Sequence, residues 1–221
     1  MDYTPFYITF KLAFLTTLCL LVIAIPISYF LAFSRWKGKI IVESILILPI
    51  ILPPTVLGFY FLSFLGPNSS IGAFFEDTFG ITFIFSFNGI LLGSIIYCIP
   101  FMLSPITNGF RAIPKNIIES TYLLQKSRLN ALYFVLIPCI KKSIWSGLLL
   151  TFAHVIGEFG IILMIGGKMN NTKAASVAIY DEMNKMNYDL ANKYAMILLI
   201  VSFILIVLLN FLTRKSPSDI A

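Results

Sequence analysis

Five apolar segments of this chain are each long enough to cross a lipid bilayer. A membrane-crossing helix needs about 20 mostly apolar residues, and the five segments cover residues 8–33, 40–65, 85–109, 144–165 and 194–212. Charged residues make up only 12% of the chain, about half their usual share in a soluble domain. We therefore predict an all-α integral membrane protein with five spans, forming a single transmembrane domain over residues 1–221.

The basic residues predict how the chain crosses the membrane. Eleven of the sixteen Lys and Arg residues follow the first, third and fifth segments, whose connectors share one side of a five-span protein. The other two connectors contain five acidic residues and only four lysines. Because cytoplasmic loops are enriched in Lys and Arg, we expect the N-terminus outside and the C-terminus in the cytoplasm. This distribution also argues against a basic face for nucleic acid.

Three prolines interrupt the second segment within the stretch "ILPIILPPTVLGF", residues 47–59. Pro49, Pro53 and Pro54 each lack a backbone N–H and clash with the preceding helical turn. One proline would indicate a kinked packing helix, whereas three within six positions favour a helix broken inside the membrane to line a pathway. Thr55 is placed to satisfy some of the freed carbonyl groups. A broken helix also exposes a positive helix end, which attracts anions.

The fourth segment contains two ionisable residues, His154 and Glu158, whose spacing places them on one helix face. An ionised group at mid-bilayer costs about 2.5–3.5 kcal/mol, so both are expected to face protein or water. His154 is the only histidine, which disfavours a metal site, and no partner chain for a proton relay is visible. A structural pair or a subunit contact is favoured. Gly157 and Gly160 flank Glu158 and permit close helix approach, which predicts a gate or subunit-contact region.

The longest basic connector, residues 110–142, contains a predicted amphipathic helix. Asn116 followed three residues later by Glu119 resembles a capping box, and Ile117 and Ile118 begin its apolar side. Such a helix can lie on the membrane, pack under the bundle or bind in a groove of a partner. The pattern alone favours the membrane surface.

This connector resembles the coupling loop of ATP-binding-cassette importer permeases, whose motif is Glu-Ala-Ala, three residues, Gly, nine residues, Ile, one residue, Leu-Pro. The matching positions here are Glu119, Ser120, Thr121, Gln125, Val135, Ile137 and Pro138. The spacing is intact, but Gln125 replaces the turn glycine, at about 1–2 kcal/mol if the turn is left-handed. The resemblance implies that the loop binds a separate ATPase subunit. The chain has no Gly-rich phosphate-binding loop, so ATP and Mg are expected on that partner and no enzymatic activity or cofactor is expected here.

Four further stretches resemble molybdate importer permeases. They are "LPPTVLGF" (residues 52–59), "GITFIFSFNG" (80–89), "AHVIGEFGIILMIGG" (153–167), and Thr172 with "AIY" (178–180). They occur in the family's order along nearly the whole chain. The resemblance implies a type I importer permease fold and a homodimer in a bacterial or archaeal inner membrane. It also implies an external oxyanion-binding protein and molybdate, or tungstate, as substrate.

The pathway or gate candidates combine the proline cluster with the conspicuous polar and glycine positions of the fourth segment. They are Pro53, Pro54, Thr55, Gly58, His154, Gly157, Glu158 and Gly160. The outer connector, residues 166–193, is longer than a bare connection requires, which favours a docking surface for a substrate-delivering protein.

Three other functions fit the sequence less well. A permease for another oxyanion, such as sulfate, is excluded only by the resemblance. A secondary transporter would need an ion-coupling site inside the membrane, such as paired carboxylates. Glu158 alone supports such a site only weakly. An integral membrane enzyme is disfavoured because a single histidine and no second acid inside the membrane leave the usual catalytic groups incomplete.

Overall fold

The computed structural model describes residues 1–123 and 128–213, and the regular structure of this part of the chain is helical. In chain order the helices are α1 (Thr4–Phe33), α2 (Lys39–Ile51), α3 (Pro54–Leu65), α4 (Ser70–Phe79), α5 (Phe87–Arg111), α6 (Lys115–Leu123), α7 (Arg128–Ala131), α8 (Ile137–Cys139), α9 (Lys141–Gly157), α10 (Ala175–Asn184) and α11 (Tyr188–Thr213). Two π-helical segments, Leu132–Leu136 and Ile162–Gly166, lie between α7 and α8 and after α9.

The core lies where α1, α5 and α9 pack against one another. The largest side chains that these helices bury completely are Leu12, Leu20, Ile90, Met102, Ile106, Phe110, Val155 and Ile156. Helix α11 packs against α9 and α10 but leaves large apolar side chains such as Phe203 and Ile204 exposed. A continuous apolar surface of this kind suits contact with lipid.

Three helices, α1, α5 and α11, are each long and apolar enough to cross a membrane alone. Two more spans are formed if each of two bent pairs counts as one, α2 with α3 and Leu129–Cys139 with α9. The predicted all-α membrane fold is confirmed at this level, with three to five spans. Helices α1 and α11 begin earlier than the predicted segments. The side of the membrane on which each terminus lies stays a prediction.

The predicted break at the proline cluster is confirmed. Helix α2 ends at Ile51 and α3 begins at Pro54, and the two helices are bent by 109° relative to each other. Leu52 and Pro53 between them are extended, with ψ of 135° at both. The physical reason is that each precedes a proline, which disfavours helical ψ in the residue before it. Pro54 then occupies the first position of α3, where its missing N–H costs nothing.

The fourth predicted segment, residues 144–165, is wrong as a continuous helix. Helix α9 already begins at Lys141 and stops at Gly157, and Glu158 is extended, with ψ of 132°. The chain becomes helical again only at Gly160 and continues as the π-helical segment Ile162–Gly166. The predicted second and fourth spans are therefore both interrupted, whereas the sequence predicts a break only in the second.

The amphipathic helix in the basic connector is present as α6, but Asn116 is not its cap. The helix begins one residue earlier, at Lys115, and the Asn116 side chain accepts a hydrogen bond from the Ile117 N–H within the first turn, at 3.0 Å. Ile117 and Ile118 are half-buried against the main core. Of the three open roles, packing under the bundle is the one that these contacts support, while the pattern had favoured the membrane surface.

Candidate functional site: a cavity where two helix breaks meet

The two helix breaks lie side by side and line one open cavity. The cavity has a volume of about 470 Å³ and is lined by Pro54, Thr55, Tyr97, Ala153, His154, Gly157, Glu158, Phe159 and Gly160. Six of the eight pathway candidates are in this lining. Pro53 and Gly58 are outside it. The sequence-based candidates did not include Tyr97, Ala153 and Phe159. Only packing reveals that Tyr97 of α5 lies next to the fourth segment. Ala153 and Phe159 belong to the quoted stretch 153–167, but their residue types gave no reason to select them.

Two glycines allow the broken segments to touch. A Cβ atom placed on Gly160 would lie 2.8 Å from Pro54 Cβ, and one placed on Gly58 would lie 2.6 Å from Met164 Cβ. Real carbon atoms do not approach below about 3.5 Å without repulsion. The start of α3 can therefore lie against residues 160–164 only because these two positions have no side chain.

Gly157 makes no close helix contact within the described part of the chain, and its predicted place in a gate or subunit contact stays a prediction. A Cβ atom on Gly157 would have no heavy atom within 4 Å, and the residue is exposed. The expected close helix approach is thus made at Gly160 and not at Gly157. Gly157 instead borders the cavity, so a side chain placed there would project into the open space.

Glu158 caps the N-terminus of the helical segment that follows it. Its carboxylate accepts a hydrogen bond from the Ile161 N–H at 2.9 Å, in the spacing of an N-terminal cap. The side chain is almost fully buried, with a residue exposure of 4%, and the positive helix end offsets its negative charge. The carboxylate is therefore committed to the protein backbone, and the predicted pairing with His154 is replaced by this cap.

His154 stacks on aromatic rings of α5. Its ring centroid is 3.9 Å from that of Phe101 and 5.1 Å from that of Tyr97. The imidazole Nε2 is buried and has no hydrogen-bond partner among the described residues. Among those residues no three His, Cys, Asp or Glu side chains cluster as a metal site would need. His154 thus brings an unused polar atom to the cavity wall.

Thr55 lies at the start of α3 and is exposed to the cavity. Its hydroxyl bonds no carbonyl of the described residues, contrary to the expectation that it would satisfy carbonyls freed by the prolines. The first backbone N–H groups of a helix are also its positive end. The Thr55 hydroxyl therefore gives this side of the cavity a hydrogen-bond donor, and the helix end gives it positive potential.

The described part of the predicted coupling loop is accessible. Glu119 and Ser120 are exposed on α6, and Pro138 is exposed at α8. Val135 and Ile137 are half-buried. Thr121 lies in the helical backbone of α6, and Gln125 lies outside the described residues.

An ion pair connects the start of the basic connector with helix α2, which leads to the proline break. Arg111, the last residue of α5, pairs with Glu43 of α2. Helix α6 begins only four residues after Arg111, and α2 leads to the break at Leu52 and Pro53. The pair is partly exposed, so the energy of this contact is modest, but it joins the two elements at the cytoplasmic end predicted for both.

The outer connector holds a compact charge cluster on α10. Asp181 lies 3.2 Å from Lys168, 3.3 Å from Lys173 and 2.9 Å from Lys185. Burial of the Asp181 carboxyl raises its pKa, but the hydrogen bonds from the three lysines outweigh this and lower the pKa to about 2. The outer connector, which is predicted to be a docking surface, thus contains an ordered helix and a charge cluster.

Comparison with known proteins agrees with this architecture. Residues 24–215 match the family described as "Binding-protein-dependent transport system inner membrane component". The chain belongs to this family. It is therefore a membrane component of a binding-protein-dependent transport system, which confirms the predicted multi-pass location in the cell membrane.

Several members of this family resemble the chain over most of its length. The molybdenum transport system permease protein ModB of Azotobacter vinelandii is 35% identical over 93% of this chain and 91% of its own length. The molybdate/tungstate transport system permease protein WtpB of Methanocaldococcus jannaschii is 31% identical over 90% of this chain and 76% of its own length. These similarities confirm the resemblance that the sequence motifs indicated.

A solved structure shares the fold. A chain of a bacterial ABC transporter involved in the import of the acidic polysaccharide alginate superposes with a TM-score of 0.78. The match covers 97% of this chain and 79% of that chain at 18% identity. The helical arrangement described above is thus a fold that the chain shares with that transporter.

Proposed function

We propose that this protein is the membrane-spanning subunit of an ATP-driven importer that moves molybdate, or tungstate, into the cytoplasm. The observation that carries the proposal is the similarity to the molybdenum permease of A. vinelandii, which extends over 93% of the chain. The cavity agrees with an anionic substrate, because the positive end of α3 borders it and the Thr55 hydroxyl is a hydrogen-bond donor. Its acidic side chain, Glu158, is already bonded to a helix end.

The cavity is one part of the proposed pathway. Among the residues that the structure describes, its lining offers hydroxyl and imidazole groups from Thr55, Tyr97 and His154 but no lysine or arginine. Such neutral donors suit a tetrahedral dianion in transit, since a tight cationic site would hold it. Pro53, Pro54, Gly58 and Gly160 then act as the gate, because they set how closely the two breaks approach.

We assign ATP hydrolysis to a separate cytoplasmic ATPase subunit that binds the coupling loop, residues 110–142. The exposed surface of α6 at Glu119 and Ser120 would enter a cleft of that ATPase. When ATP binding closes the ATPases, the loops move and the bundle changes from inward-open to outward-open. The ion pair between Arg111 and Glu43 would pass part of this movement to the broken second span.

Two further features of the assembly follow from the same proposal. The chain works as a homodimer, since the cavity opens at the protein surface and a second copy would close it. An external oxyanion-binding protein docks on the outer connector, residues 166–193, and delivers the substrate. The N-terminus then lies outside and the C-terminus in the cytoplasm, as the basic connectors predict.

The test is the ATPase activity of the reconstituted complex. The chain would be placed in liposomes with its ATPase and binding protein, and hydrolysis measured with molybdate, tungstate and sulfate. We expect stimulation by molybdate and tungstate but not by sulfate, and loss of stimulation in Glu119→Ala. Stimulation by sulfate alone would overturn the substrate. A complex that forms no ATPase contact but transports along a proton gradient would favour a secondary transporter.

A further inference from the structure

Helix α10 in the outer connector contacts the Glu158 break through two side chains. The Ser176 hydroxyl donates a hydrogen bond to the Glu158 carbonyl at 2.5 Å. The Tyr180 ring packs on the Phe159 ring, with centroids 5.2 Å apart. Ser176 and Tyr180 are four residues apart and so lie on the same face of α10. One face of this outer helix therefore holds two consecutive residues of the cavity wall.

The start of α10 is itself fixed to the transmembrane bundle. The Ala175 N–H donates to the buried Thr9 hydroxyl of α1 at 2.9 Å. The hydroxyl of Thr172, which is fully buried, donates to the Gly166 carbonyl at 2.5 Å. These bonds hold α10 to α1 and to the end of the segment that follows the break. A displacement of α10 must consequently be taken up by the residues it contacts.

Helix α10 contacts the break at Glu158, and residues of this break also contact α3. Gly160 lies against Pro54, two residues after the Glu158 carbonyl that Ser176 binds. We infer that Ser176 and Tyr180 are positioning residues that couple the outer surface of the protein to the cavity. A protein that binds the outer side of α10 can then change the cavity without touching it. This inference rests on the proposed function for the identity of the external partner.

The charge around α10 defines the surface that such a partner would need. Lys168 and Lys185 are both partly exposed around the nearly buried Asp181, and the lysines outnumber the acids in this cluster even when Glu182 is counted. Lys168 also lies over the Tyr180 ring, 5.2 Å from its centroid. An acidic partner surface that attracts Lys168 would therefore act directly on Tyr180.

The test uses a reporter inside the cavity. Gly157→Cys places a thiol in open space, and a membrane-impermeant maleimide added from outside measures its accessibility in the full-length chain. The same chain without the reporter gives the background from the native cysteines. We expect Ser176→Ala and Tyr180→Leu each to speed labelling by roughly two- to tenfold, the factor set by losing one hydrogen bond or one aromatic contact.

Matched variants separate positioning from general loosening. Ser70→Ala and Tyr188→Leu remove the same groups at exposed outer positions and should leave labelling unchanged. Tyr180→Phe keeps the ring and should behave like the parent. Ser176→Ala removes only one oxygen, so it provides the test even if Tyr180→Leu is poorly folded. Labelling rates in Ser176→Ala and Tyr180→Leu that match the controls would overturn the inference.

The reporter does not depend on substrate identity. Molybdate-stimulated ATPase activity would be measured on the parent chain with its ATPase and binding protein, beside the labelling of the Ser176 and Tyr180 variants. Faster labelling in the variants, together with a parent that molybdate never stimulates, would support the role of α10 and overturn the proposed substrate. Unchanged labelling in the variants, together with a parent that molybdate does stimulate, would overturn the role of α10 and leave the proposed function standing.

Discussion

The contact between the two breaks makes a quantitative prediction for Gly160→Ala. The new methyl carbon would lie 2.8 Å from Pro54 Cβ and 3.3 Å from the Thr55 nitrogen, whereas carbon atoms in contact are usually about 3.5–4.0 Å apart. The segments must therefore separate by roughly 1 Å, and overpacking of this kind costs about 1–3 kcal/mol. We expect the purified variant in detergent to unfold several degrees below the parent, at roughly 2–4 °C per kcal/mol for a chain of this size.

Gly157→Ala is the matched control for this experiment. It introduces the same methyl group three residues earlier, where no heavy atom lies within 4 Å. We expect it to unfold at or slightly above the parent temperature, because alanine restricts the unfolded chain more than glycine. If Gly160→Ala unfolds together with Gly157→Ala, the two breaks do not press against each other and the cavity is not built as described.

Three further predictions concern capping and charge. Glu158→Gln keeps an oxygen that can accept from the Ile161 N–H, so it should retain thermal stability, whereas Glu158→Ala should lose about 1 kcal/mol; equal loss in both would contradict the cap. Asp181 has a folded pKa of about 2, below its unfolded value near 4, so its stabilisation is complete above about pH 4 and disappears as the pH falls through about 2. Asp181→Asn should therefore lower the unfolding temperature at pH 7 but approach the parent near pH 2, and a constant difference across this range would refute the lysine cluster. For Glu43 and Arg111, a double-mutant cycle with Glu43→Gln and Arg111→Gln should give a coupling energy of roughly 0.2–1 kcal/mol that falls with salt. No coupling at low salt would show that the ion pair does not contribute to the contact between α2 and α5.

The proline break could be predicted because its cause is local. Pro53 and Pro54 remove two donors and force the residue before each of them out of the helical region, whatever surrounds them. The bend angle of 109° could not be predicted, because it depends on what α3 packs against. Gly58 contributes here through its contact with Met164, a residue more than a hundred positions away.

The second break cannot be predicted from local sequence alone, because two of its three causes are distant along the chain. The stretch around Glu158 is apolar and contains no proline, so it was predicted as a continuous helix. In the structure Ser176 binds the Glu158 carbonyl, Pro54 lies against Gly160, and the Glu158 side chain caps the following turn. His154 and Glu158 do not share a helix face, contrary to the prediction, because helix α9 ends between them.

Charge in the outer connector was predictable in composition but not in arrangement. The sequence indicated a polar, mixed-charge loop. It did not indicate that three lysines converge on Asp181, because Lys168 and Lys173 reach that carboxylate only through the turn before α10. The docking surface on this connector therefore stays a prediction, which the position of α10 and its contacts support.

The joint between α2 and α3 has a consequence for the energy of motion. On one side the backbone bonds end with the Leu52 N–H bound to the Leu48 carbonyl, and on the other they resume with the Val56 N–H bound to the Pro53 carbonyl. Pro53 and Pro54 have no N–H to contribute, so the two helices can swing about this joint without breaking a backbone hydrogen bond. Rotation there would carry little activation enthalpy of its own, and the temperature dependence of transport should then reflect the ATPase and side-chain repacking but not helix unwinding.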